Sequence, residues 1–325
     1  MKGSRRAESV SDLVASARAG QARAVARLIS LVEDESPLLR EVTAALAPHT
    51  GRAHVIGLTG SPGVGKSTST SALIRAFREQ GRRVGVLAID PSSPFSGGAL
   101  LGDRVRMGDH ATDEGVFIRS MAARGHLGGL SWSTPQAMRV LDAAGFDVVL
   151  VETVGVGQSE VEVAGLADTT VVLLAPGMGD GIQAAKAGIL EIGDVYVVNK
   201  ADRDGAPQVA RELRAMLNFA ERSEGEWRQP ILKTVAQTGD GVSDVVAALD
   251  EHRAWLASSG TLAHRRARRA RAEIEAIAVA SLRRRWTEVG EHDQLDALAT
   301  AVVDGQSDSY AAADVLLDSL DHHVG

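Results

Sequence analysis

Residues 60–68 read Gly-Ser-Pro-Gly-Val-Gly-Lys-Ser-Thr, a glycine-spaced run that closes on a lysine and two hydroxyls. Gly60, Ser61, Pro62, Gly63, Val64, Gly65, Lys66, Ser67 and Thr68 satisfy the pattern G-x-x-x-x-G-K-S/T in full. Glycines let the backbone turn so tightly that successive N–H groups point inward, and such a nest holds an anion. A helix that starts at the end of the nest adds the positive pole of its dipole. In that arrangement Lys66 is a catalytic charge for β- and γ-phosphate oxygens, and Ser67 offers its hydroxyl to Mg2+. The flanks agree with this reading. The apolar run HVIGL precedes the loop, and the helical pattern STSTSALIRAF follows it.

A phosphate cradle does not choose a base. Asn199-Lys200-Ala201-Asp202 follows the apolar run DVYVV, at the end of a strand where open α/β sheets bind ligands. Its N-K-x-D order resembles the guanine-specificity motif of GTPases. An ionised Asp202 accepts from two guanine donors, N1–H and the 2-amino group, and adenine has no such pair. Asn199 bonds O6/N7 and braces the phosphate loop, while the Lys200 stem covers the ring face. Val235, Ala236 and Gln237 follow a later strand and resemble the loop whose backbone N–H meets guanine O6. The expected ligands are GTP and GDP.

Three acids are candidates for Mg2+ or its water shell. Glu152 ends the run DVVLVE, Asp90 ends the second strand-like run, and Asp103 lies near the end of IDPSSPFSGGALLGDRVRM. Asp103 reads equally as a helix cap. Gln158, six residues beyond Glu152, is a candidate for orienting a catalytic water, although its spacing does not fix that role.

These residues need a frame. Seven short apolar runs, at 54–58, 83–89, 116–120, 147–152, 169–175, 194–199 and 230–235, alternate with helical stretches. Nearly continuous apolar strands between helices predict a mostly parallel sheet covered on both faces, an α/β P-loop NTPase fold. Residues 1–50 read as an N-terminal helical extension, 51–257 as the P-loop domain and 258–325 as a C-terminal helical arm. In that arm Ile274, Ile277 and Leu282 make an apolar side for packing on the main domain or on a second copy.

Composition narrows the class. Net charge is −7 and aromatics are 3%, which argues against a nucleic-acid or membrane-surface binder. There is no cysteine, which removes disulfides and thiolate chemistry. The N-terminus lacks an apolar h-region, and no apolar run approaches the ~20 residues of a membrane helix, so the expected location is cytoplasmic. Of 35 Lys plus Arg only five are Lys, and Lys66 and Lys200 fall inside the two motifs.

The segments GSPGVGKST, AIDPSSPFSGGALLGDRVRM, ETVGVGQSEVEV and NKAD occur in this order and spacing. Together they resemble the methylmalonyl-CoA mutase-associated GTPases of the MeaB/ArgK family over roughly residues 10–320. The resemblance implies a G3E-type GTPase and metallochaperone that serves an adenosylcobalamin-dependent acyl-CoA mutase. GTP would gate loading of the cofactor from a cobalamin adenosyltransferase, and the chaperone would protect the mutase. It also implies a homodimer embraced by the C-terminal arm. A mobile segment after TTVVLLA would carry Asp180, Gln183 and Lys186 as the groups that couple nucleotide state to the partner. Other readings are an ATP-dependent kinase linked to amino-acid transport, a nickel-delivery GTPase, and a non-hydrolysing scaffold. The N-K-x-D motif speaks against ATP, and the missing cysteines speak against nickel delivery.

Overall fold

The computed structural model describes residues 9–91, 108–110, 112–123, 133–153, 159–177, 189–218, 225–288 and 292–321. The chain divides into two units, Met1–Arg269 and Ala270–Gly325.

Each of the seven apolar runs becomes a strand: β1 (His54–Thr59), β2 (Val84–Pro91), β3 (Val116–Ala123), β4 (Val148–Thr153), β5 (Thr169–Leu174), β6 (Val195–Val198) and β7 (Ile231–Lys233). They form one sheet in the order β3-β2-β4-β1-β5-β6-β7. Every pairing is parallel. β2 and β3 extend beyond their apolar runs because they pair with each other from Val84↔Val116 to Pro91↔Ala123. β7 is short and only partly buried, as an edge strand tends to be.

The side-chain period of two feeds two cores. Val55, Leu87, Val149 and Val151 point to one face. There they meet α1 (Val10–Arg18), α2 (Ala22–Glu33), α3 (Leu39–Leu46), α5 (Ser133–Ala143) and Val163 of α6 (Ser159–Leu166). The N-terminal helices thus share a core with the sheet. Ile56, Leu58, Val86, Leu150 and Val171 point to the other face, against α4 (Lys66–Glu79) and α9 (Val242–Ser258). A short helix, α7 (Ile189–Ile192), precedes β6, and α8 (Ala206–Leu217) covers Val172, Leu174, Tyr196 and Val198.

The amino edge of the sheet is closed by charge. Asp168, 1% exposed, accepts from the Val55 amide and from Arg266 and Arg269 at the root of α10 (Thr261–Glu288). Burial alone would raise its carboxyl, but Arg266 and Arg269 outweigh burial and hold it below the usual range. Arg265 forks onto both oxygens of Asp194 at 2.8 and 2.9 Å. Beneath these pairs His54 Nε2 lies 2.7 Å from Thr169 Oγ1, which lies 2.8 Å from His252 Nδ1. The indole of Trp227 packs on the His252 ring and donates to the Asp194 carbonyl.

The second unit contains the rest of α10 with α11 (His292–Val303) and α12 (Ser309–Asp321), and α11 packs on α12. Ile274, Ile277 and Leu282 are exposed on this unit, as are Val303 and Tyr310. No helix among the described residues is long and apolar enough to cross a membrane.

Candidate nucleotide-binding site

β1 ends at Thr59, and the chain turns at Gly60 with φ +140°. A Cβ at Gly60 would stand 2.3 Å from the Leu173 carbonyl oxygen on β5, so only glycine lets the loop leave the sheet here. Gly65 has φ +95° and caps α4. A Cβ on Gly65 would meet Asn199 Nδ2 at 2.5 Å. The two motifs, 134 residues apart from Gly65 to Asn199, therefore touch at a position where a side chain does not fit.

The loop and the base motif are stitched together. Asn199 is 2% exposed, and its Nδ2 donates to the Val64 carbonyl at 2.9 Å. Lys200 Nζ donates to the Gly63 carbonyl at 2.6 Å, from a residue with φ +55°. Asn199 Oδ1 accepts from the Ala236 amide at 3.1 Å and from Thr234 Oγ1 at 3.2 Å. Three segments, at 60–68, 199–202 and 234–237, thus converge on one side chain. Asp202 is exposed at this mouth, and Gln237 is exposed beside Ala236. The Ala236 amide bonds Asn199 within the chain, so it acts here as a brace.

At the phosphate end, Lys66 opens α4 and is buried. Its Nζ donates to the Gly60 carbonyl at 2.5 Å and the Ser61 carbonyl at 3.2 Å, which holds the charge across the loop. Ser61, Pro62 and Gly63 form the accessible rim, and Val64 is buried beneath it. Ser67 Oγ donates to Glu152 Oε1 at 2.7 Å, and Thr70 Oγ1 lies 2.9 Å from Glu152 Oε2. Glu152 is 3% exposed and pairs across the sheet with Leu58 and Ala88. Thr68 sits in the same first turn of α4 and is exposed.

Sequence reading missed Thr70 and Thr234. Thr70 follows Ser67 by three positions on α4, the spacing that places two side chains on one face, so helical periodicity offered a signal. Thr234 had no motif to mark it.

Ser67 and Glu152 supply hard oxygen donors, which suit Mg2+ better than a soft metal. Among the described residues no group of three or more His, Cys, Asp or Glu forms a protein-only cage. An Mg2+ ion at Ser67 and Glu152 would be bound through one or two protein oxygens and completed by phosphate and water. Asp90 lies on β2 two residues past Ala88, the partner of Glu152, so its backbone reaches the same carboxyl edge. The Asp90 side chain lies outside what the structure describes. Asp103, Gln158, Asp180, Gln183 and Lys186 also lie outside the described residues.

Several known proteins resemble this chain. PH0274 of Pyrococcus horikoshii, named a putative GTPase, is 45% identical over 316 residues, which covers 96% of this chain and 99% of that protein. GTPase ArgK of Escherichia coli is 39% identical over 252 residues, 75% of this chain and 76% of that one. The crystal structure of a protein named LAO/AO transport system kinase superposes with a TM-score of 0.74 at 26% identity, covering 98% of this chain and all of that one. The family model described as Methylmalonyl Co-A mutase-associated GTPase MeaB matches residues 25–291. The chain belongs to the MeaB family of GTPases.

Proposed function

We propose that this chain binds Mg-GTP, hydrolyses it to GDP and phosphate, and uses the cycle to gate adenosylcobalamin loading into an acyl-CoA mutase that it also protects. The observation that carries the nucleotide reading is the contact of Gly65 with Asn199, which fuses the phosphate cradle and the base motif into one site. Loop amides and the start of α4 face the phosphates. Lys66 exchanges its two carbonyl contacts for phosphate oxygens and opposes the charge that builds there in the transition state. Asp202 accepts from guanine, and Lys200 spans from the base side to the loop at Gly63. Ser67 and Glu152, with Thr70 fixing the second carboxylate oxygen, are the groups that would hold Mg2+. When bound, the ion neutralises β- and γ-phosphate charge. Asp90, Asp103 and Gln158 complete the reading as outer metal groups and a water-orienting group.

The partner reading rests on the family, whose description is mutase-associated. Methylmalonyl-CoA mutase is the expected partner enzyme, an adenosyltransferase is the expected cofactor donor, and Asp180, Gln183 and Lys186 are the proposed coupling groups. Ile274, Ile277 and Leu282, exposed in the second unit, support a homodimer built through residues 258–325. The setting we propose is cytoplasmic.

Sizing chromatography with an adenosylcobalamin-dependent mutase and a non-hydrolysable GTP analogue tests the role. Co-elution, with the mutase altering GTP turnover, is the expected result. Separate elution with unchanged turnover would overturn the chaperone role and leave the nucleotide reading standing.

A kinase reading takes its support from the superposed crystal structure, whose protein is named a transport system kinase. Tight binding of ATP with no preference for guanine would favour it.

A further inference from the structure

At the amino ends of β1, β2 and β4, opposite the phosphate loop, the fold forms a half-open cavity of about 320 Å3. That volume lies in the range of small-molecule pockets. Its lining brings together Arg18, Arg52, Arg83 and Arg253 with Asp142 and Asp147. Arg18 ends α1, Arg52 precedes β1, Arg83 precedes β2, and Arg253 lies on α9. Four arginines face two aspartates in a chain whose net charge is −7. The local sign is opposite to that of the molecule as a whole.

Both aspartates already accept backbone donors. Asp142 accepts the amides of Gly51, Arg52 and Ala53, which fastens the segment before β1 to the end of α5. Asp147 accepts the Arg83 amide at 2.7 Å. Two of the arginines are held in place by carbonyls. Arg83 Nη1 donates to Ala144 O at 2.8 Å, with its guanidinium 4.5 Å from the Phe146 ring centroid. Arg253 Nη2 donates to Arg52 O at 2.7 Å. Arg18 and Arg52 are exposed, and among the described residues neither guanidinium is in an ion pair. His49 lies on the same wall.

Two guanidinium groups fixed by carbonyls and two exposed ones, with an excess of positive charge, suit a compact anion with several oxygens. Among the lining residues Phe146 is 4% exposed and covered by Arg83, so it offers no open ring face. We propose that this cavity is a second anion site that takes a small phosphorylated molecule. It is separated from the phosphate loop by the length of β1, roughly 20 Å at ~3.3 Å per residue. Binding there would tie together α1, the segment before β1, the turn after α5 and α9, pieces that lie far apart in the chain.

The test is calorimetry on the full chain with the phosphate loop first saturated by GDP and without excess magnesium. Inorganic pyrophosphate is the probe, and citrate is the carboxylate control. Pyrophosphate is expected to bind at about one per chain, more tightly than citrate. The double variant Arg18→Ala/Arg52→Ala should weaken it at least tenfold and leave GDP affinity unchanged. These two side chains are exposed and outside any ion pair among the described residues, so the variant should fold, and an unchanged melting temperature would verify that. Absence of pyrophosphate binding to the GDP-loaded chain, or binding that survives the double substitution, would overturn the site. Tighter binding of citrate would overturn the phosphate assignment. Failure of GDP itself to bind would count against the nucleotide reading alone, because the dependence on Arg18 and Arg52 is read separately.

Discussion

At the carboxyl edge of the sheet, Lys66 donates to the Gly60 and Ser61 carbonyls, the Ser67 and Thr70 hydroxyls meet the Glu152 carboxylate, and Asn199 donates to the Val64 carbonyl; the carbonyl contacts of Lys66 can be exchanged for a ligand. At the amino edge of the same strands, Asp168 and Asp194 are met by Arg265, Arg266 and Arg269 in full charge pairs, over two histidines that share Thr169. Both edges are polar and buried, yet one is built to trade partners and the other to keep them. In a parallel sheet every strand ends on the same side, so ligand loops collect at one edge and the other is left for anchoring. Here the anchor is the root of α10, so the helix that leaves the first unit is fastened at the edge opposite the phosphate loop.

If the amino edge is an anchor, breaking it should cost stability without touching nucleotide choice. Asp168→Ala removes the carboxylate from Arg266 and Arg269 and should destabilise by about 3–5 kcal/mol, the scale for one lost partner of a buried pair. Denaturant unfolding measures it, and GDP affinity at a temperature where the variant is folded should be unchanged.

The opposite dissociation is expected at the carboxyl edge. Lys66→Ala should lower GDP affinity by about a hundredfold or more, as charge-assisted contacts to phosphate are lost. Its unfolding midpoint without nucleotide should move little.

Acid should find the amino edge first. Burial pushes His54 down to about 3 and His252 down to about 4, and it outweighs the pull of Asp168 on His54 and of Asp194, 3.4 Å away, on His252. The unfolded chain takes up these protons near pH 6.5, and the folded chain does not. Below 6.5 the unfolded state binds more protons, so stability is fully present above that value and falls as pH drops towards 4. The slope is about 1.4 kcal/mol per pH unit for each histidine. Unfolding curves at pH 7, 6 and 5 should show this loss, and His252→Gln should flatten the slope.

The smallest effect belongs to Thr70. Thr70→Val removes one hydroxyl from Glu152 and should lower the GTP hydrolysis rate by about tenfold while GDP affinity changes little, the pattern of a group that orients a metal ligand. Steady-state phosphate release checks it.

The elements legible in the sequence are those with a strong local signal. Apolar runs bounded by glycine and polar turns predict all seven strands, because in a doubly covered parallel sheet burial is continuous along each strand. Gly60–Thr68 and Asn199–Asp202 are readable because their chemistry is local in sequence. Their contact through Gly65 is not, since it depends on β1 and β6 lying on either side of β5. As a string, α10 reads as part of an arm that packs on the main domain or on a second copy, with nothing to mark which arginines anchor it. Only the fold brings Arg265, Arg266 and Arg269 to aspartates some 70 to 100 positions earlier. His54 and His252, about 200 positions apart, meet in a buried network through Thr169 that only the fold assembles. The N-terminal helices read as an extension, whereas Val25, Leu28 and Val32 join the same core as Val149 and Val151.

One measurement tests the account most directly: calorimetric titration of the wild-type chain and of Asp202→Ala with Mg-GDP and Mg-ADP. The wild type should bind GDP at least about a hundredfold more tightly than ADP, because a polar group that the bound base covers without pairing is costly. Asp202→Ala should abolish most of that preference. Equal affinity for the two nucleotides, or full guanine preference retained without Asp202, would contradict it.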